Sequence, residues 1–175
     1  KKPRAVRPSG VGLYIFSYNS DARMRIRRQI KAADSTVIIG HSGRLTRSKN
    51  HKFLLQVFSE FHKVYPDSIL LLIGVGDLYD FLNQQAEDLN IKKAVRFLGY
   101  QSNVNEWLQA MDFFVFPSLF EGLPFSLVEA QAAGLICLVS NKVTEEIKIT
   151  SRCQFIGLDK SPSDWAKYVK NWIGY

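Results

Sequence analysis

Five short apolar runs punctuate the chain: TVIIG at 36–40, SILLLIG at 68–74, AVRFLG at 94–99, DFFVFP at 112–117 and LICLVS at 135–140. Each gap between them carries residues at helical spacing. Runs of this length are strand-sized, and the near absence of polar alternation within them means that both faces are buried. Strands that alternate with helices pair in parallel through crossovers, so an α/β fold is expected, with a mostly parallel sheet covered by helices on both sides. The strand-like surroundings of Cys153 bring the sheet to about six strands.

The helical segments carry matching signals. In HKFLLQVFSEFHKVY, Phe53, Val57 and Phe61 lie four apart, as do Leu54 and Phe58, which gives a broad apolar face that wants a sheet beneath it. LYDFLNQQAEDL and NVNEWLQAM read as further helices. PFSLVEAQAAG reads as a helix opened by Pro124 and closed by Gly134. The tail SPSDWAKYVKNWI opens at Ser161 or Ser163 and sets Trp165, Tyr168, Val169 and Trp172 at packing intervals. Residues 22–33 form an arginine-rich helix with only Met24, Ile26 and Ile30 for contacts, so it is expected on the surface. Pro3, Pro8, Gly10 and Gly12 break any period before Ser20. Residues 1–20 therefore read as an incoming linker, with VGLYIF as a short apolar anchor, and 21–175 as one domain.

A chain of 175 residues that is 46% hydrophobic can bury a full core. No run reaches the 18 or so apolar residues of a membrane span, so a soluble chain is expected. Cys137 and Cys153 lack the paired spacing of a thiolate metal site, and unbridged buried thiols in a reduced compartment are the simpler reading. The formal charge of +7 is uneven: residues 1–52 hold 13 Lys and Arg against 2 acids, and the remainder 10 against 14. Such a basic segment suits nucleic acid, an anionic membrane or a ligand's phosphates, and only placement can decide.

In a parallel sheet, ligands gather beyond the carboxyl ends of the strands. There the loops HSGRLTRSKN, GVGD, LGYQSN and PSLFEGLP are expected to share one rim. Arg44 and Lys49 fit either a wet basic turn or a phosphate site; for the latter, Gly40 and Gly43 allow close approach, Arg44 offers a fork and Lys49 a point charge. The segment is neither of the common glycine-rich phosphate motifs. Gly74, Gly76 and Asp77 can make a turn and a helix cap or touch a nucleotide base. Gly99 and Tyr100 can border the same base or face water.

Glu121 stands in a loop, whereas Glu129 falls inside a helix among Leu127, Val128, Ala130, Ala132 and Ala133. A carboxylate packed there needs a partner, either a protein donor or a polyol such as ribose. His41 follows the first strand and fits a backbone hydrogen bond, water or a ligand. His51 and His62 do not form a metal pair and read as exposed. Glu145 and Glu146 cap a turn or face water, and Ser118, Ser126 and Ser140 lack a nucleophile-elbow context.

Taken together, GHSGRLTRSKNHKFLLQVF, LLLIGVGDL, VRFLGYQSNVNEWLQAMDFFVFPSLFEGLPFSLVEAQAAG and VTEEI resemble the donor-binding C-terminal half of retaining two-domain (GT-B) glycosyltransferases. The group is similar to bacterial enzymes of exopolysaccharide, capsule and lipopolysaccharide synthesis. At its centre is the E-x7-E spacing of Glu121 and Glu129. The resemblance implies a Rossmann-like domain that binds a nucleotide diphosphate sugar, with UDP as the expected base, and needs no cofactor or essential metal. It implies Arg44 and Lys49 on the pyrophosphate, Glu129 on ribose hydroxyls and Glu121 on the transferred hexose, with Arg44, Lys49 and Glu121 serving catalysis. Backbone around Gly122, Leu123, Pro124, Phe125 and Ser126 would assist. Gly99 and Tyr100 would border the base, with Gly74 and Gly76 nearby. The acceptor saccharide would meet a missing N-terminal domain, leaving this chain alone inactive. A cytoplasmic enzyme is expected, touching anionic membrane peripherally. The chain departs from the family after Gly134, where Ile136 and Cys137 replace a common Pro-Val pair. A nucleic-acid-binding module built on Arg23, Arg25, Arg27 and Arg28, or a non-catalytic Rossmann-like module, is the alternative.

Overall fold

The apolar runs form the strands of a single sheet in a computed structural model that describes residues 12–173. In chain order the elements are α1 (Ser20–Gln29), β1 (Val37–Ser42), α2 (His51–Val64), β2 (Ser68–Ile73), α3 (Tyr79–Asp88), β3 (Val95–Gly99), α4 (Val104–Ala110), β4 (Phe113–Phe116), α5 (Phe125–Ala132), β5 (Ile136–Ser140), β6 (Cys153–Ile156) and α6 (Pro162–Trp172). All the pairings are parallel, and the strands lie in the order β3-β2-β1-β4-β5-β6. The chain winds outward from β1 to β3, returns to place β4 beside β1, and winds outward again on the other side. This is the Rossmann-like arrangement expected of a six-stranded α/β domain.

Alternate strand residues separate into two cores. Ile38, Leu71, Phe114, Phe116 and Val139 pack with Ile26 of α1, Leu108 of α4 and Leu127 of α5. Ile39, Leu70, Leu72, Val115 and Leu138 pack with Phe58 and Phe61 of α2, Leu82 of α3, and Trp165 and Val169 of α6. Burial on both faces removes any need for polar alternation, which explains the uniform runs in the sequence. The tail helix starts at Ser161, whose hydroxyl accepts from the Asp164 amide at 3.1 Å while the Asp164 carboxylate accepts from the Ser161 amide at 3.3 Å. Cys137 and Cys153 are in register on neighbouring strands as buried free thiols. Among the described residues, no helix is long and apolar enough to cross a membrane.

Three expectations need correction. β1 does not stop at Gly40 but carries His41 and Ser42 into the strand, so the turn begins only at Gly43. Gly40 itself is fixed by packing, since a Cβ there would sit 1.9 Å from the Met111 sulfur. The arginine helix spans Ser20–Gln29 rather than 22–33, and it is not simply a surface element. Arg27 is 3% exposed; it donates to the carbonyls of Ala110 and Ala33 at 2.9 and 2.8 Å and also to Thr36 O. Arg23 pairs with Asp112 at 2.6 Å. Residues 1–11 of the expected linker lie outside the described residues. Within the remainder, Leu13–Phe16 forms a 3-10 turn that sends Phe16 into the core.

Asp112 is the receiving end of this clamp. Its carboxylate accepts from Arg23, from Arg27 at 3.5 Å and from the Ile38 amide at 2.7 Å. Removing one partner of a buried charged network costs about 3 kcal/mol or more, because the others stay behind without it. Arg27→Ala is therefore expected to lower the unfolding free energy by about 3 kcal/mol in urea titrations. The exposed Arg28→Ala should change it by less than about 0.5 kcal/mol.

Candidate functional site

The reversal of strand order between β1 and β4 opens a crevice at their carboxyl ends, because the loops leaving the two strands run in opposite directions. Residues 43–50 leave β1, and residues 117–124 leave β4. Three contacts lace these loops together. The Leu119 amide donates to Ser48 O at 2.8 Å, the Asn50 side-chain amide donates to Pro117 O at 3.1 Å, and Lys49 Nζ lies 2.7 Å from Glu121 Oε1. Asn50 holds a left-handed backbone conformation, φ 56°, as it turns the chain into α2. On the β5 side the Ser140 hydroxyl donates to Ser118 O at 2.6 Å.

The lacing continues toward β3. The amides of Gly43 and Leu45 donate to the carbonyls of Ile73 and Val75, and the Gly74 amide to Gly99 O. Gly74 has φ +136°, and a Cβ on it would stand 2.0 Å from Gly43 O; one on Gly76 would stand 2.5 Å from Leu45 O. Both glycines thus let one loop lie directly on another. Asp77 does not cap α3, since the N-cap position is Leu78 and no side chain bonds there. The four loops expected to share a rim do share it.

Within that rim the charges are unequally engaged. Arg44 is exposed, its carbonyl accepts from the Thr46 amide, and its side chain has no hydrogen bond or ion pair among the described residues. Lys49 and Glu121 keep only 18% and 12% of their side chains exposed, and the Lys49 ammonium stands 5.1 Å from the centre of the Phe116 ring. α5 begins at Pro124 with no side-chain cap, and the amides of Gly122, Leu123, Phe125 and Ser126 make no hydrogen bond among the described residues. Free amides at a helix start favour anions and oxygen-rich groups. Glu129 is partly buried one turn into α5; among the described residues no group donates to its carboxylate, and burial raises its pKa above the ordinary carboxylate value. Tyr100 is 78% exposed beyond Gly99, which takes φ +66°. The site can therefore present two cations, a row of amides and two carboxylates to one elongated polar ligand.

Two histidines form the floor: His41 takes the backbone hydrogen bond, one of the roles its position fits, whereas His51 departs from the exposed position expected of it. His51 is 1% exposed, not solvent-facing, and its ring meets that of His41 edge-on at 4.6 Å. His41 is fully buried, donates from Nδ1 to Val115 O at 2.9 Å and stacks on Phe116 at 5.2 Å. A Cβ on Gly43 would lie 3.2 Å from His41 Nε2 and 3.3 Å from Lys49 Cε, so the lysine stem passes over this floor. Burial lowers the His41 pKa to about 4, with Lys49 adding to the effect. Burial, then His41, then Lys49 lower that of His51 to about 2. The signal was present: His51, Leu54, Leu55 and Phe58 lie on one helical face, and all are buried. His62 is not free either, since it hydrogen-bonds the Ser68 hydroxyl at 2.8 Å and stacks on Phe58. Glu145 and Glu146 are exposed in a turn capped by Thr144.

A cavity of about 560 Å³ opens at the opposite, amino ends of the strands, lined by Arg23, Thr36, Asp112, Gly134 and Arg152 among others. Three of its charged groups are engaged within the chain: Arg23 holds Asp112, and Arg152 donates to Gly134 O at 3.0 Å.

Comparison with known proteins identifies the family and the fold. The family described as Glycosyl transferases group 1 matches residues 22–173. The putative glycosyltransferase EpsF of Bacillus subtilis is 37% identical over 140 residues, which are 80% of this chain and 36% of that protein. The UDP-Gal:alpha-D-GlcNAc-diphosphoundecaprenol alpha-1,3-galactosyltransferase of Escherichia coli is 31% identical over 140 residues, covering 78% of this chain and 36% of its own length. This chain thus spans little more than a third of either relative. Anabaena HepE, solved with UDP and glucose, superposes with a TM-score of 0.81 at 18% identity, over 93% of this chain and 45% of that one. The C-terminal domain of LpcC from Francisella tularensis superposes at 0.79 and 21% identity, over 93% and 87%. At these identities the structural likeness establishes the fold.

The buried histidines make stability depend on pH in a definite direction. Their folded pKa values lie below the ordinary 6.5, so below that pH the unfolded chain takes up protons that the folded chain refuses. Stability is present in full above pH 6.5 and falls as the pH drops toward 4, each histidine contributing a slope approaching about 1.4 kcal/mol per pH unit. In urea titrations between pH 7 and 5, His51→Leu is expected to show a shallower decline than the parent chain. Equal slopes would show that His51 does not refuse the proton.

Proposed function

The chain belongs to the glycosyl transferases group 1 family, and on that premise we propose that it is the donor-binding domain of a retaining glycosyltransferase. The enzyme moves a hexosyl unit from a uridine diphosphate sugar to a polysaccharide or lipid-linked saccharide acceptor. The observation that carries this reading is the convergence at one switch point of Lys49, an Arg44 side chain and a Glu129 carboxylate without partners among the described residues, and the start of α5 without a side-chain cap. A diphosphate suits the two cations and the helix start, and a ribose diol suits Glu129. The UDP of the HepE complex and the UDP-galactose in the name of the Escherichia coli relative favour uracil as the base.

The chemistry follows from where charge develops. As the bond between sugar and diphosphate breaks, negative charge accumulates on the leaving phosphate. The Arg44 fork, the Lys49 ammonium and the amides of Phe125 and Ser126 stabilise it more strongly in the transition state than in the bound donor. Glu121 orients the hexose through its hydroxyls, and Tyr100 and Gly99 border the base. The acceptor meets the donor against protein outside this chain, which covers 36% of EpsF, so transfer needs the longer protein. That protein works in the cytoplasm, touching the membrane at its periphery. The nucleic-acid reading loses its footing, because Arg23 and Arg27 are committed to Asp112 and to carbonyls rather than to an open basic face.

Calorimetric titration with UDP-glucose and UDP-galactose, alongside the ADP and GDP sugars, tests the reading. Arg44→Ala, Lys49→Ala and Glu129→Ala should each weaken binding about tenfold or more, since each removes a charged hydrogen-bonding partner. A folded chain that binds no nucleotide sugar saturably would overturn it.

A further inference from the structure

The Lys49–Glu121 ion pair joins two groups with different proposed partners. On the donor reading above, on which this inference rests, Lys49 meets the diphosphate and Glu121 meets the transferred sugar. In the structure they meet each other at 2.7 Å, with side chains 18% and 12% exposed, where water screens the attraction poorly. Arg44, by contrast, is exposed and unpaired.

We propose that this pair is an exchange contact through which the site selects the intact nucleotide sugar over the spent nucleoside diphosphate. A nucleoside diphosphate that draws Lys49 onto its phosphate strips Glu121 of its counter-ion and places new negative charge beside it. No other protein group pairs with Glu121 among the described residues, so the carboxylate is left largely buried and uncompensated. An intact donor brings sugar hydroxyls next to the same phosphate, and these donate to Glu121 as Lys49 turns away. Phosphate capture and sugar capture are thereby coupled, each removing an obstacle to the other. Once the sugar has left, Glu121 has no donor again and competes with the diphosphate for Lys49, which favours release of the product. Selection arises because the two ligands differ in what they offer Glu121.

The test is calorimetric titration of the 175-residue chain with UDP, UDP-glucose and UDP-galactose, comparing the parent with Glu121→Gln. Glutamine keeps the shape and removes the competing charge. The variant is expected to bind UDP about tenfold more tightly and the better of the two UDP-sugars no more tightly than the parent does, so the ratio of affinities collapses. Lys49→Gln should lose UDP affinity and retain less selectivity. Urea titration of each variant establishes that it is folded. An unchanged affinity ratio in Glu121→Gln, or weaker UDP binding, overturns the exchange. If the parent binds neither UDP nor a UDP-sugar, or Arg44→Ala binds UDP as the parent does, the donor reading beneath it fails instead.

Discussion

The short seam between β1 and β4 is the constraint on which the rest of the domain depends. The two strands are in register only at Ile39–Phe113 and Gly40–Phe114, far fewer positions than β1 shares with β2. Side chains bracket that short ladder at both ends. At the amino end the Asp112 carboxylate accepts from the Ile38 amide, and Arg23 and Arg27 hold it there. At the carboxyl end His41 reaches Val115 O through its ring. Gly40 lets Met111 close against the seam from the side. Above His41 the strands no longer pair, and the crevice begins. One device therefore closes the sheet and opens the site.

Much of this order is legible in the sequence because it is local. Apolar runs of strand length, the four-residue spacing of Phe53, Val57 and Phe61, and the Pro124 and Gly134 brackets around α5 report elements that each span a few residues. The position of the rim follows from the parallel sheet alone. What the sequence withholds is set by partners far away along the chain. Arg27 reads as a surface cation until Ala110 and Asp112, more than 80 residues distant, are folded onto it. His41 could be given a backbone hydrogen bond in the sequence, but nothing nearby announces that its acceptor is Val115 or that the ring of His51 is buried against it. Lys49 and Glu121 could each be nominated for a ligand, yet their direct contact depends on the strand order.

The electrostatics of the rim follow from this floor. Two imidazoles beneath a lysine would repel it if they carried protons, and burial keeps them neutral while the lysine contributes to keeping them so. The positive charge in the crevice is thus concentrated on Arg44 and Lys49 rather than spread over four groups. Glu129 stands in the reverse condition: burial disfavours its charge, and among the described residues no donor to its carboxylate offsets that.

Each stitch described around the rim, from Gly99 through Gly74 and Gly43 to Ser48, Leu119, Ser118 and Ser140, joins two residues of this chain. These contacts all lie within a segment that amounts to about a third of EpsF. In evolutionary terms that makes the segment a portable cassette. Recombination that moved it into another protein would carry these stitches along unchanged.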